Sequence, residues 1–282
     1  MGKTANPSAR IGFMQGRLSP QVDGKIQAFP SAHWREEFAA AQRLGLGLME
    51  WTLDHDRLSE NPLMTPEGRR EIQALSRANC VRVRALTCDL FMQAPFWKSS
   101  GAERGKLVAE LDAVLEASAA VGLTDVVVPL VDNGSITSPQ QAAALAEVLL
   151  PRADRIRKAD LKVVFESDYA PAALAQFIAG YPADVFGINY DIGNSAALGF
   201  DCTEEVAAYA DRILHVHVKD RVRGGTTVPL GTGNADLARA ISLIESSGYA
   251  GDYILQTARA ADGDHVGALA RYRDMTLAWL RG

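Results

Sequence analysis

The chain's strongest constraint is a rhythm of short apolar runs alternating with longer amphipathic ones. "ARIGFMQGR", "LGLMEW", "VRVRALTCD", "DVVVPLV", "KVVFES", "VFGINYD", "ILHVHVK" and "DYILQTA" have the length and residue content of strands. Helical stretches follow them. The first four are "HWREEFAAAQRLG", "TPEGRREIQALSRAN", "AERGKLVAELDAVLEASAAVG" and "SPQQAAALAEVLLPRADRIRKA". The later four are "APAALAQFIAG", "TEEVAAYADR", "ADLARAISLIESSG" and "GDHVGALARYRDMTLAWLR". Thr65-Pro66 and Ser138-Pro139 pair a hydroxyl cap with a proline at the first helical position, and Pro151 should kink or split its helix. Eight strands, each followed by a helix, is the pattern of an α/β chain folded as a single (β/α)8 TIM barrel. A doubly wound sheet would carry a glycine fingerprint after strand one, where this chain reads "MQGRLSP".

The 282 residues suit one barrel domain over 1–282, and no linker or low-complexity segment divides them. A hydrophobic share of 48% supplies a core. With a net charge of −5, no global basic field recruits nucleic acid or an anionic membrane. Cys80, Cys88 and Cys202 form no CxxC pair, which argues against a disulfide framework or a thiolate zinc site. The polar start "MGKTANPSAR" has no signal-peptide core, and no apolar run approaches the ~18 residues of a membrane span. The expected setting is cytoplasmic. The loop "DLFMQAPFW" could cover the site or pack against a second subunit, so a homo-oligomer stays open.

A barrel of this kind carries its chemistry at the C-terminal ends of its strands. Those ends are Gln15 and Arg17, Glu50 with Trp51 and Asp54, Asp89, Asp132 and Asn133, Glu166, Asp191, His217 with Lys219, and Gln256. One strand-end carboxylate is ordinarily a turn former or a cap, and Asp191 in "YDIGN" reads that way in isolation. A ring of them following buried runs needs partners, since a buried charge must be paired, hydrogen-bonded or metal-bound. Strands five to eight offer Glu166, Asp191, His217 and Gln256, a carboxylate, imidazole and amide set suited to one divalent ion: Mn, Mg, Co or Zn. The plainer readings are a helix cap for Glu166, a core histidine for His217 and a backbone-bonded amide for Gln256. His215 shares a strand face with His217 but lies deeper, as a supporting or core residue. Gln15, Arg17 and Glu50 are the candidates for touching substrate.

These pieces, in this order, resemble the xylose-isomerase-like TIM-barrel superfamily in its sugar-phosphate isomerase/epimerase branch. The similarity runs through "IGFMQGRLSP", "IQAFP", "LMEWTLD", "NPL", "VVFESD", "YDIGNSAALG", "HVHVKDR" and "YILQTAR". It implies one divalent metal on Glu166, Asp191, His217 and Gln256, and a substrate-contacting arginine at Arg223. It implies a small sugar or sugar phosphate as partner, with no nucleic acid. Ketose 3-epimerases of the superfamily have a second glutamate on strand eight as metal ligand and opposite acid/base. This chain has Gln256, and an amide can coordinate but cannot shuttle a proton.

The expected reaction is proton abstraction next to a carbonyl, with Glu166 as base and the metal stabilising an enediolate. One base suffices for an aldose–ketose isomerisation. Epimerisation needs a second group, for which Lys219, Asp89 and Glu50 are candidates. Two alternatives are a metal-dependent dehydratase of a keto-cyclitol or related polyol, and a carbohydrate-binding barrel without catalysis. Arg17, Lys219, Arg221, Arg223 and Arg259 follow strand ends, and "GGTTVPLGTGN" lies where many barrels bind phosphate. A phosphorylated or acidic sugar and a solvated surface loop are the two readings of that pattern.

Overall fold

In the computed structural model, which describes residues 7–282, eight parallel strands close into a barrel. They begin with β1 (Ile11–Met14), β2 (Leu48–Thr52), β3 (Arg82–Thr87) and β4 (Asp125–Leu130). β5 (Lys162–Ser167), β6 (Phe186–Asp191) and β7 (Ile213–Val218) follow. After a two-stranded antiparallel ribbon of β8 (Asp220–Arg221) and β9 (Thr227–Val228) comes the last barrel strand, β10 (Tyr253–Leu255). The register Ile11 to Tyr253 between β1 and β10 closes the ring. The expected (β/α)8 barrel is the fold.

The capping chemistry forms as the residue types require. Thr65 Oγ1 accepts the Gly68 amide at 3.0 Å and opens α2 (Pro66–Asn79). Ser138 Oγ accepts the Gln141 amide at 3.3 Å and opens α5 (Pro139–Leu149). Pro151 lies in a 3-10 turn that separates α5 from α6 (Ala153–Lys158). The first helix, α1 (Trp34–Leu44), stops at Gly45 with φ of 70°. The remaining long helices are α4 (Gly101–Val121), α7 (Pro171–Ala179), α9 (Cys202–Tyr209), α10 (Leu237–Ser246) and α11 (His265–Arg281).

Two helices were not expected. α3 (Asp89–Gln93) lies in the stretch read as a loop after strand three, and α8 (Ile192–Leu198) replaces the turn read after Asp191. The Asp191 side chain is the cap that starts α8, and "IGNSAAL" runs helically to Gly199 at φ 82°. The last strand is shorter than "DYILQTA" suggests, so Gln256 stands one residue past its end.

Strand alternation decides which side chains meet at the axis. Phe165 packs on Phe177 of α7 with ring centroids 5.5 Å apart, and Tyr190 meets Tyr209 of α9 at 6.2 Å. These rings belong to the layer between sheet and helices, which holds most of the apolar core. Their chain neighbours Glu166, Asn189 and Asp191 therefore face the barrel axis, as His215 and His217 do on either side of the outward Val216.

Candidate metal centre at the barrel mouth

Glu166, Asp191 and His217 come from three adjacent strands and meet at the C-terminal end of the barrel, all three buried. His217 Nδ1 is 3.2 Å from Glu166 Oε2 and 3.8 Å from Asp191 Oδ2. One ligand atom from each of the three lies within 4.8 Å of the others. Gln256 is tied to this group through Lys219, whose ammonium donates to Gln256 Oε1 and to Asp191 Oδ2, at 3.0 Å each.

The other side of the imidazole explains its orientation. His217 Nε2 lies 3.2 Å from both oxygens of Glu50, and His215 Nε2 lies 2.7 Å from Glu50 Oε2. The Thr87 hydroxyl donates to Glu50 Oε1. Glu50 is completely buried. Burial alone would raise its pKa, but His217 and His215 outweigh that and hold it well below the usual carboxylate range. Glu50, read from the sequence as a substrate contact, thus lies behind the histidines and steers them.

A carboxylate that takes the Nε2 hydrogen leaves Nδ1 turned to two more carboxylates. A proton on Nδ1 or a bound cation reconciles that arrangement. Burial disfavours the imidazolium, yet Glu50, Asp191 and Glu166 together raise the pKa of His217 well above its ordinary value. Asp191 is held down at about 2: burial opposes the charge, and Lys219, His217 and the Asn194 amide overcome it. Asn189 Nδ2 is 2.9 Å from Glu166 Oε2 and 3.0 Å from His217 Nδ1, while its own Oδ1 is buried without a partner. Two carboxylate oxygens and an imidazole nitrogen, with a third carboxylate fixing the ring, fit a borderline divalent ion. An ion that took Asp191 and Gln256 together would displace the Lys219 ammonium from between them.

Asp191 is both a cap and a cluster member. Its Oδ1 accepts the Asn194 amide at 2.8 Å, and its Oδ2 faces His217 and Lys219. Asn194 in turn donates through Nδ2 to Glu166 Oε1 at 2.5 Å and accepts from Arg221 Nη1 at 2.8 Å. The sequence reading had no role for Asn189, Asn194, Thr87 or Arg221 in this network. Asn189 was within reach of it, because two residues along a strand from Asp191 is the same face.

Other expected residues are placed differently. Arg223 is exposed beside Gly199, where an added Cβ would come within 2.5 Å of its Nη2, and it does not join the cluster. Gln15 is buried, with Oε1 accepting the Thr52 amide at 3.1 Å and Nε2 unpartnered. Arg17 is buried at the rim and donates to the carbonyls of Thr257 and Ile26. Asp89 is buried near Asp54, Glu166 and Glu50, and burial with those charges pushes its pKa well up. The glycine-rich loop after β7 has no free amide cradle: Gly231, Gly233 and Ala235 donate their N–H groups to Asp220. A cleft of about 390 Å³ opens to one side, lined by Phe29, Trp34, Asp54, Asn61 and Gln93 among others, and none of the cluster residues lines it.

Comparison with known proteins agrees with this architecture. The family profile described as xylose isomerase-like TIM barrel matches residues 38–280. L-ribulose-5-phosphate 3-epimerase UlaE of Escherichia coli K12 is 24% identical over 273 residues, covering 93% of this chain and 96% of that protein. An L-ribulose 3-epimerase structure superposes with a TM-score of 0.75 at 16% identity, covering 97% of this chain and 95% of that one. The structure of the IOLI protein with a bound zinc atom superposes at 0.70 and 15% identity, covering 95% and 97%. With the closed barrel and a match over most of its length, the chain belongs to the xylose isomerase-like TIM-barrel family.

Proposed function

We propose that the chain is a divalent-metal-dependent isomerase or epimerase of a sugar or sugar phosphate, with Glu166 as both ligand and base. The observation that carries this reading is the inward-facing Glu166, Asp191 and His217 group, with Glu50 fixing the imidazole behind it. The similarity to sugar epimerases supports the substrate class. A divalent ion held by Glu166, Asp191, His217 and Gln256 would polarise the carbonyl and hydroxyl oxygens of a bound sugar.

The chain's own residues supply the rest. Asn189 and Asn194 hold the two oxygens of Glu166, one each, so the carboxylate keeps a fixed direction as it takes a proton from the carbon beside the carbonyl. Gln256 cannot return a proton. Lys219, in contact with Gln256 and Asp191, can donate one where a second glutamate stands in the ketose 3-epimerases. Removal by Glu166 and return by Lys219 would invert a carbon centre; return by Glu166 to the neighbouring carbon would isomerise.

The test is uptake of solvent deuterium into a ketose, followed by NMR. Wild-type protein with Mn²⁺ or Zn²⁺ is expected to exchange the hydrogen next to the carbonyl. Glu166→Gln should slow exchange by at least about 100-fold, the usual worth of a positioned base. Exchange that is absent with every divalent ion, or unchanged in Glu166→Gln, contradicts the reading.

A further inference from the structure

Two positive charges at the rim have no ion-pair partner among the described residues. Arg17 follows β1 and Arg259 follows β10, neighbouring strands of the barrel. Arg17 is only 4% exposed. Its Nε donates to the Thr257 carbonyl at 2.8 Å and its Nη1 to the Ile26 carbonyl at 3.0 Å. Arg259 Nη1 donates to the Ser19 carbonyl at 2.5 Å, and its Nε is buried with no acceptor. Among the described residues, neither guanidinium enters an ion pair. Glu37 acts on both from beyond ion-pair distance, and its oxygens already accept the amides of Gly16 and Leu18 and the hydroxyl of Ser19. Asp89 acts on Arg17 in the same way, and His265 lines the narrow cleft beside both guanidiniums.

Neutral carbonyls are weak partners for a buried Arg17 and a half-buried Arg259 whose charges repel each other. Burial, with Arg259 adding to it, pushes Arg17 down to about 9. An anion between the guanidiniums would relieve both costs. The position suits a substrate group. Thr257, which holds Arg17, follows Gln256 directly, and Gln15, two residues before Arg17, donates its amide to the Glu50 carbonyl at 2.8 Å. The pair therefore stands beside the carboxylate cluster, at the end of the barrel where such folds bind their substrates.

We propose that Arg17 and Arg259 form an anion subsite for the phosphate monoester of a sugar whose carbonyl end reaches Glu166, Asp191 and His217. This rests on the sugar chemistry proposed above. Each guanidinium presents parallel N–H donors that match phosphate oxygens. The phosphate takes the place of the Ser19 and Ile26 carbonyls, so the loop between β1 and α1 shifts as it binds.

Calorimetric titration of the metal-stripped protein with inorganic phosphate tests the subsite without any turnover. A uronate titration is the carboxylate control. Wild type and Glu166→Gln are expected to bind phosphate equally. Arg259→Gln should weaken binding about tenfold or more, the scale of a lost charge-assisted contact. Arg17→Lys, which keeps the buried charge but loses the fork, should also weaken it while the protein stays folded. No phosphate binding to wild type, unchanged binding in Arg259→Gln, or binding of uronate but not phosphate overturns the proposal. Because no chemistry is read, failure of the deuterium exchange above leaves this result standing, and the reverse also holds.

Discussion

Glu50 shows how a single side chain sets the character of the site. With no solvent exposure, it stays ionised because two imidazoles and the Thr87 hydroxyl surround it. Glu50→Gln keeps the shape, but an amide cannot accept hydrogens at both ends. His217 then loses its fixed tautomer, and the divalent-ion affinity of the folded protein should fall about 10–100-fold, the usual effect of removing a ligand's supporting carboxylate. Titration of the metal-stripped variant beside wild type measures it, and unchanged affinity would separate Glu50 from the site. At this scale the sequence is partly legible. Glu166, Asp191 and His217 stand at strand ends, and topology brings strand ends together. Glu50 reads as one too, at the end of "LGLMEW", but β2 runs on to Thr52, so Glu50 lies deeper in the barrel than the rim. Asn189 and Asn194 carry no charge, and in "INYDIGN" they look like strand and turn rather than like clamps on Glu166.

The element that decides the geometry of the mouth is α8. Asp191 caps it, Asn194 is carried by it, and Gly193 lets it approach the chain after β7. A Cβ at Gly193 would come within 2.7 Å of Lys219 Cγ and 2.9 Å of both its Cβ and its backbone carbonyl carbon. The backbone contact has to give, so Gly193→Ala should melt below wild type despite the ~1 kcal/mol by which alanine favours a helix. Its methyl group would push Lys219 away from Asp191 and Gln256 and cut turnover at least about tenfold, since small misplacements at a site are costly. Activity beside a thermal melt checks both halves, and a variant with full activity would take Lys219 out of the chemistry. α8 is hard to read in advance because a strand-end Asp followed by Gly and Asn is also the signature of a turn. The caps at Thr65 and Ser138 and the break at Pro151 are easier, because proline fixes where a helix can start or stop.

Across the whole molecule, the barrel turns residues far apart in the chain into neighbours. Glu50 and His217 are 167 positions apart and share hydrogen bonds, and Arg17 and Thr257 are 240 apart. The eightfold alternation announces the barrel, and the order of strands around it follows from chain order once the ring closes. The glycine-rich loop after β7 did not announce its own role. Its amides fold back on Asp220, while Arg17 and Arg259 make no ion pair among the described residues. The proposed divalent-cation site lies where three buried side chains converge at the mouth. Anomalous diffraction from crystals grown with Zn²⁺ tests it most directly. The account predicts one peak bonded to Glu166, Asp191 and His217 Nδ1, with Lys219 moved off Asp191. A map with no peak at these residues, Lys219 still bridging Asp191 and Gln256, would contradict it.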